Sequence, residues 1–132
     1  MEDYVKIFLD LVSSEGHEFE IKKMTNGKNA LIYVHYETDE GEVYTVHVIC
    51  LDELFILRTK GEDDIFYSND GLDYVNYLNM NFLDYRFTLN MKGYTVIERV
   101  REVGQCPGFI TAALIMTELK SLCKIREELC DI

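Results

Sequence analysis

Residues 29–51 constrain this chain more than any other stretch, because two β-rich runs flank Asp39-Glu40-Gly41. If those three residues form the loop, Gly41 takes the positive φ that a bulged hairpin demands. Ala30, Ile32, Val34 and Tyr36 then share one face with Tyr44, Val46, Val48 and Cys50, a wholly apolar or aromatic surface. A loop one residue shorter sets the same residues against Val43, Thr45 and His47, since a slip of one residue moves every side chain to the other face. Burial therefore selects the three-residue loop. The opposite face, with Tyr33, His35, Glu37, Thr45 and His47, is mixed in character and expected to be partly wet.

The remaining elements follow from periodicity and punctuation. Val5, Phe8, Leu9, Leu11 and Val12 make a one-sided helical stripe over residues 3–13, stopped near Glu15-Gly16. Phe19 to Met24 reads as a strand ahead of the turn signal Thr25-Asn26-Gly27. Leu54 to Leu57 reads as a further short strand, or as a continuation past a bend at Asp52-Glu53. Residues 60–70, with Gly61, Glu62-Asp63-Asp64 and Ser68-Asn69-Asp70, read as an exposed connection. Asp70 is then the N-cap of a second helix that carries Leu72, Val75, Leu78 and Asn79 and ends around Asn81.

Leu83, Tyr85, Phe87 and Leu89 alternate with polar residues as a half-buried strand does. A four-residue loop, Asn90-Met91-Lys92-Gly93, leads to the run Tyr94–Val103 and pairs Leu89 with Tyr94, Phe87 with Val96 and Leu83 with Val100. It also sets Asp84 opposite Arg99. A last helix opens at Pro107, which has no N–H to orphan in a first turn. Its stripe is Ala112, Ile115, Met116, Leu119, Leu122, Cys123 and Leu129, with Ile110, Leu114 and Ile125 outside it. The expectation is a single α+β domain over residues 1–132. It has an antiparallel sheet of five or six strands with helices on one face, in the order α-β-β-β-(β)-α-β-β-α.

Charge bears on partners. The 24 acidic and 13 basic residues give a net charge of −11, a poor match to phosphate backbones, so no nucleic acid is expected. The excess is lopsided: −9 falls before residue 67 and −2 after it. A basic or amphipathic partner is the electrostatically natural one, although such charge also simply keeps a protein soluble. Acids at Glu2 and Asp3 stand where a signal peptide carries positive charge, and the longest near-apolar run, Phe109–Met116, is too short to span a bilayer. The expected setting is cytoplasmic, away from membranes, with Cys50, Cys106, Cys123 and Cys130 as reduced thiols.

The usual chemical motifs fail one by one. The four cysteines lack the paired short spacings of a zinc site. His35 and His47 share a hairpin face near Glu37, but such histidines are more often solvated or hydrogen-bonded than ligating. Ser68-Asn69-Asp70-Gly71 resembles the glycine turn of a calcium loop, yet Phe66 and Tyr77 occupy the carboxylate positions. Glycine-rich phosphate loops are absent. Cys106, directly before Pro107, faces the positive end of a helix dipole and is the one residue with a physical case for reactivity. It would need a base such as His17, His35 or His47. Tyr33, Tyr67, Tyr74, Tyr77 and Tyr85 are candidates to line a groove, or else to finish a small core. No catalytic, cofactor or metal residues are assigned.

Leu72-Asp73-Tyr74-Val75-Asn76-Tyr77-Leu78-Asn79, followed by Tyr85-Arg86-Phe87-Thr88-Leu89 and Gly93-Tyr94-Thr95-Val96, resembles the YbjN family of bacterial sensory transduction regulators. The specific part spans residues 72–98, and the stretch Asp52–Tyr67 departs from that family's pattern. The resemblance implies the fold of type III secretion chaperones and a non-catalytic homodimer that holds a peptide or protein segment. It supplies no catalytic residue. The leading expectation is thus a protein-binding regulatory or chaperone-like module. A stoichiometric, immunity-type inhibitor covering a basic target and a thiol-based redox protein using Cys106 stand as alternatives.

Overall fold

The computed structural model describes residues 4–25, 29–64, 69–90 and 94–130. In chain order the elements are α1 (Tyr4–Ser14), β1 (Glu18–Thr25), β2 (Asn29–Glu37), β3 (Val43–Cys50), β4 (Leu54–Asp64), α2 (Asn69–Asn81), β5 (Arg86–Leu89), β6 (Tyr94–Glu102) and α3 (Gly108–Cys130). The strands form one six-stranded antiparallel sheet in the order β1-β2-β3-β4-β6-β5. This is the α+β architecture and element order expected from the sequence.

The first hairpin takes the register that burial selects. Ala30 pairs with Cys50, Ile32 with Val48, Val34 with Val46 and Tyr36 with Tyr44. Thr38 N–H donates to the Glu42 carbonyl at 2.7 Å, and Gly41 adopts φ 87°, which closes the three-residue loop. Gly16 ends α1 in the same left-handed region, φ 82°. The even-numbered face of β2 and β3 lies in the core, with Ile32, Val34, Val46, Val48 and Cys50 fully buried.

That face continues through Phe55 and Leu57 of β4, Ile97 of β6 and Phe87 of β5, and it is covered by α1 and α3 packed against each other. Val5, Phe8 and Val12 come down from α1, and Ala112, Ile115, Met116, Leu119, Leu122, Cys123 and Leu129 from α3, as the helical spacing predicts. At ~25 cal/mol per Å² of apolar surface, each fully buried Leu, Ile or Phe contributes about 1.5–3 kcal/mol before entropy is set against it. Pro107 stands just ahead of α3, and its carbonyl accepts from the N–H groups of Ile110 and Thr111.

Three expectations are corrected. β4 does not end at Leu57 but runs on to Asp64, so residues 60–64 are strand backbone and not a connection. Its pairing with β6 holds it: Lys60 opposes Val96 and Asp64 opposes Tyr94, with a register shift between them that takes up two extra residues. A bulge near Gly61 makes that shift cheap.

The second hairpin is one residue out of the expected register. Phe87 opposes Ile97 and Leu89 opposes Thr95, because Asn90 itself pairs with Tyr94: Asn90 N–H donates to the Tyr94 carbonyl and Tyr94 N–H donates to Asn90 Oδ1. This register buries Phe87 and Ile97 together. Strand β5 is also short, so Leu83 lies outside the sheet, 85% exposed. Arg99 reaches the Asp84 backbone carbonyl and the Glu118 carboxylate instead of the Asp84 side chain.

Lastly, α2 begins at Asn69, which puts Asp70 inside its first turn and not at its cap. The turn expected at Asn26-Gly27 lies outside the described residues.

Candidate functional site

Helices α1 and α3 cover the core face of the sheet and α2 lies against its β5 edge through Asn79, while the side chains on the opposite face stay half-buried or exposed. Strand pairing arranges this open face into transverse rows. The central row crosses all six strands: Glu20, Tyr33, His47, Arg58, Glu98 and Arg86, each directly opposite the next. Beside it runs an apolar row, Leu31, Ile49, Ile56 and Val100, again paired directly. Leu31, Ile49 and Ile56 are half-buried and Val100 is 46% exposed. On the far side of the central row His35 pairs with Thr45, Lys60 with Val96 and Thr88 with Val96.

Specific contacts fix these side chains. The Tyr33 and His47 rings stack at 4.0 Å and 9°, as a direct cross-strand pair permits. Lys22 Nζ lies 5.1 Å from the Tyr33 ring centroid. Arg58 donates through Nε and Nη2 to one Glu98 oxygen at 2.9 and 2.6 Å. His35 and Thr45 are hydrogen-bonded at 3.0 Å. Partial burial, with the Arg58 guanidinium beside it, holds the His47 imidazole below its ordinary pKa, so the ring stays neutral at pH 7. Two shallow depressions of about 330 and 350 Å³ lie over β3–β4 and over β4–β6–β5, sharing Arg58, Asn90 and Val96.

The candidates singled out in the sequence are distributed as follows. His35 and His47 both lie on the open face, committed to Thr45 and Tyr33 as hydrogen-bond and stacking partners. His17 lies elsewhere, stacked on Tyr36 at 4.5 Å, its Nδ1 accepting from the Glu37 N–H. Next to it Lys120 Nζ donates to Glu15 at 2.6 Å and ties the end of α1 to α3.

Cys106 is exposed in the turn before α3. None of the three histidines is placed beside it. His35 and His47 are on the opposite side of the sheet, and the His17 cluster meets α3 at Lys120, roughly 18 Å along the axis from Gly108 at about 1.5 Å per residue. Cys50 and Cys123 are buried, and burial pushes the Cys123 thiol up to about 12.

The tyrosines do not form one groove. Tyr33 is on the open face, Tyr74 and Tyr85 pack against the core, and Tyr77 is exposed on α2. Tyr67 lies outside the described residues. Tyr77, Met80 and Leu83 instead expose apolar surface at the end of α2. Among the described residues no three His, Cys, Asp or Glu side chains converge to hold a metal ion, and no helix is long and apolar enough to cross a membrane.

The sequence pointed to half of the open face through the mixed side of the first hairpin. It missed Arg58, Lys60, Arg86, Glu98 and the apolar partners Ile56 and Val100. Alternation within β4 and β6 was the available signal for these residues, but only the pairing of β4 with β6 joins them to the hairpin. No protein-family model matches the chain, and no curated protein is similar enough to count as a match.

Proposed function

We propose that this chain is a non-catalytic protein-binding module, regulatory or chaperone-like, that works through the open face of its sheet. One observation carries the reading: a six-stranded face carries a paired apolar row, Leu31, Ile49, Ile56 and Val100, whose side chains stay half-buried or exposed. Sheets that present such a face to a partner gain apolar burial there, while the flanking polar row sets orientation. The resemblance of residues 72–98 to the YbjN family supports the same reading, and with it a homodimer in the bacterial cytoplasm.

The test is capture from lysate followed by mass spectrometry, with wild type, the double variant Ile49→Glu/Val100→Glu and the variant Lys120→Ala compared at equal folded fraction by circular dichroism. The reading expects a partner retained by wild type and Lys120→Ala and lost by the double variant. A partner retained equally by all three contradicts it.

A second reading, an inhibitor that covers a basic target, is favoured by the tip of the first hairpin, where Glu37, Asp39, Glu40 and Glu42 are all exposed. Under that reading Asp39→Lys/Glu40→Lys abolishes capture and Ile49→Glu/Val100→Glu does not.

A further inference from the structure

The field over the open face is not that of the whole chain. On a protein of net charge −11, the depressions over β4, β6 and β5 are lined by three fixed cations, Arg58, Lys60 and Arg86, and a single described carboxylate, Glu98. Arg58 is committed to Glu98. Among carboxylates whose side chains the structure describes, which leaves out Glu62, Asp63 and Asp64, none lies within ion-pair distance of Lys60 or Arg86, and Lys60 Nζ sits 4.1 Å from the Tyr94 ring centroid. Thr45, Thr88 and Asn90 add polar groups around the same depressions. Screening confines this local field and the opposing global one alike to about 8 Å at physiological salt, so a docked group feels the nearest charges first.

We propose that the β4–β6–β5 half of the open face receives an extended acidic segment of a partner protein, held by Arg58, Lys60 and Arg86. The proposal rests on the reading of this face as the binding surface and specifies the chemistry of what it binds. Geometry favours a chain over a compact ligand. Arg58 and Lys60 are two residues apart on β4, hence about 7 Å, which is also the spacing of same-side carboxylates along an extended peptide. Arg86 lies two strands from Arg58, with about 10 Å between their backbones, so the three cations are spread both along and across the strands. The depressions are shallow, and the apolar row crosses β4 at Ile56, two residues before Arg58, where the next same-side residue of such a segment would lie. Two acidic residues two positions apart, with an apolar residue two positions beyond them on the same side, are therefore the expected pattern, in place of the basic partner that overall composition suggests.

The experiment is an NMR titration of the isotope-labelled full chain, at physiological salt, with the synthetic decapeptide (Glu-Ser)₅, with (Lys-Ser)₅ and with inorganic phosphate, each to about 5 mM, a range that detects even millimolar affinity. The expected result is saturable shifts at β4, β5 and β6 with (Glu-Ser)₅, absent with (Lys-Ser)₅. Binding should weaken at least about tenfold in Lys60→Glu/Arg86→Glu, as loss of charge complementarity at this scale implies. Lys120→Glu, which lies on the helical side, should leave it unchanged.

The proposal is overturned if (Lys-Ser)₅ binds as well, if the double reversal has no effect, if no shifts occur at the highest concentration, or if phosphate saturates the same residues with equal affinity. Self-association of the wild type that the double reversal abolishes also overturns it, by making a second copy the occupant. If capture of a partner requires Ile49 and Val100 but tolerates Lys60→Glu/Arg86→Glu, the acidic-segment inference fails while the binding-face reading stands.

Discussion

Strand β5 ends the sheet, and an edge strand carries unpaired N–H and C=O groups that invite pairing with another chain. Here the Asn79 carboxamide stands in for a neighbouring strand. Phe87 N–H donates to Asn79 Oδ1 at 2.8 Å, and Asn79 Nδ2 donates to the Phe87 carbonyl at 2.9 Å. These two bonds hold α2 onto β5. Substituting Asn79→Ala removes both, and a typical net value of about 1 kcal/mol per hydrogen bond puts the loss near 2 kcal/mol. Because the site is partly buried, the two orphaned Phe87 groups recover some hydration, which keeps the cost from approaching the full desolvation penalty.

For a chain between the sizes for which Tm sensitivities are known, about 3–5 °C per kcal/mol, the expected fall in Tm is roughly 6–10 °C. Urea denaturation measures the free energy. Amide exchange at Phe87, read by NMR, locates it, and protection there should collapse in the variant. A loss below about 0.5 kcal/mol with Phe87 protection unchanged would show that α2 is held by something other than this pair.

Gly41 has φ 87° and a Cβ there would meet no heavy atom within 4 Å, so Gly41→Ala costs only backbone strain, about 1–2 kcal/mol, and Gly41→Asn costs less; urea midpoints order the three proteins. In native protein at pH 8 iodoacetamide should label Cys106 and spare Cys50 and Cys123, which react only after unfolding. The Cys123 thiol also predicts an alkaline limb: its pKa is raised from 9.0 to about 12 on folding, so its contribution is intact below pH 9 and is lost as pH rises towards 12. The slope is at most about 1.4 kcal/mol per pH unit. In Cys123→Ala that limb should flatten in pH-dependent urea melts.

The first hairpin was legible because its two faces differ so sharply. One register buries Ile32, Val34, Val46 and Val48 together, and the alternative does not. The α3 stripe was legible for the same reason. The second hairpin was not, because Phe87, Leu89, Tyr94, Val96 and Ile97 are apolar on both phases, so alternation alone cannot fix the slip. What decides it is Asn90, a turn residue by composition that pairs with Tyr94 through backbone and side chain alike. The continuation of β4 past Lys60 was hidden by glycine and three acids, which read as loop until a partner strand is supplied. The open-face rows depend on β4 pairing with β6 across 40 residues, as in Arg58–Glu98, and no local pattern reports such a contact.

The central claim, that the open sheet face is the working surface, is tested most directly by hydroxyl-radical footprinting of the protein free and saturated with its captured partner. The account predicts protection of Tyr33, His47, Ile49 and Ile56, with Tyr77, Met80 and Phe109 labelled equally in both states. Protection confined to Tyr77, Met80 and Phe109, with the open-face residues unchanged, would contradict it.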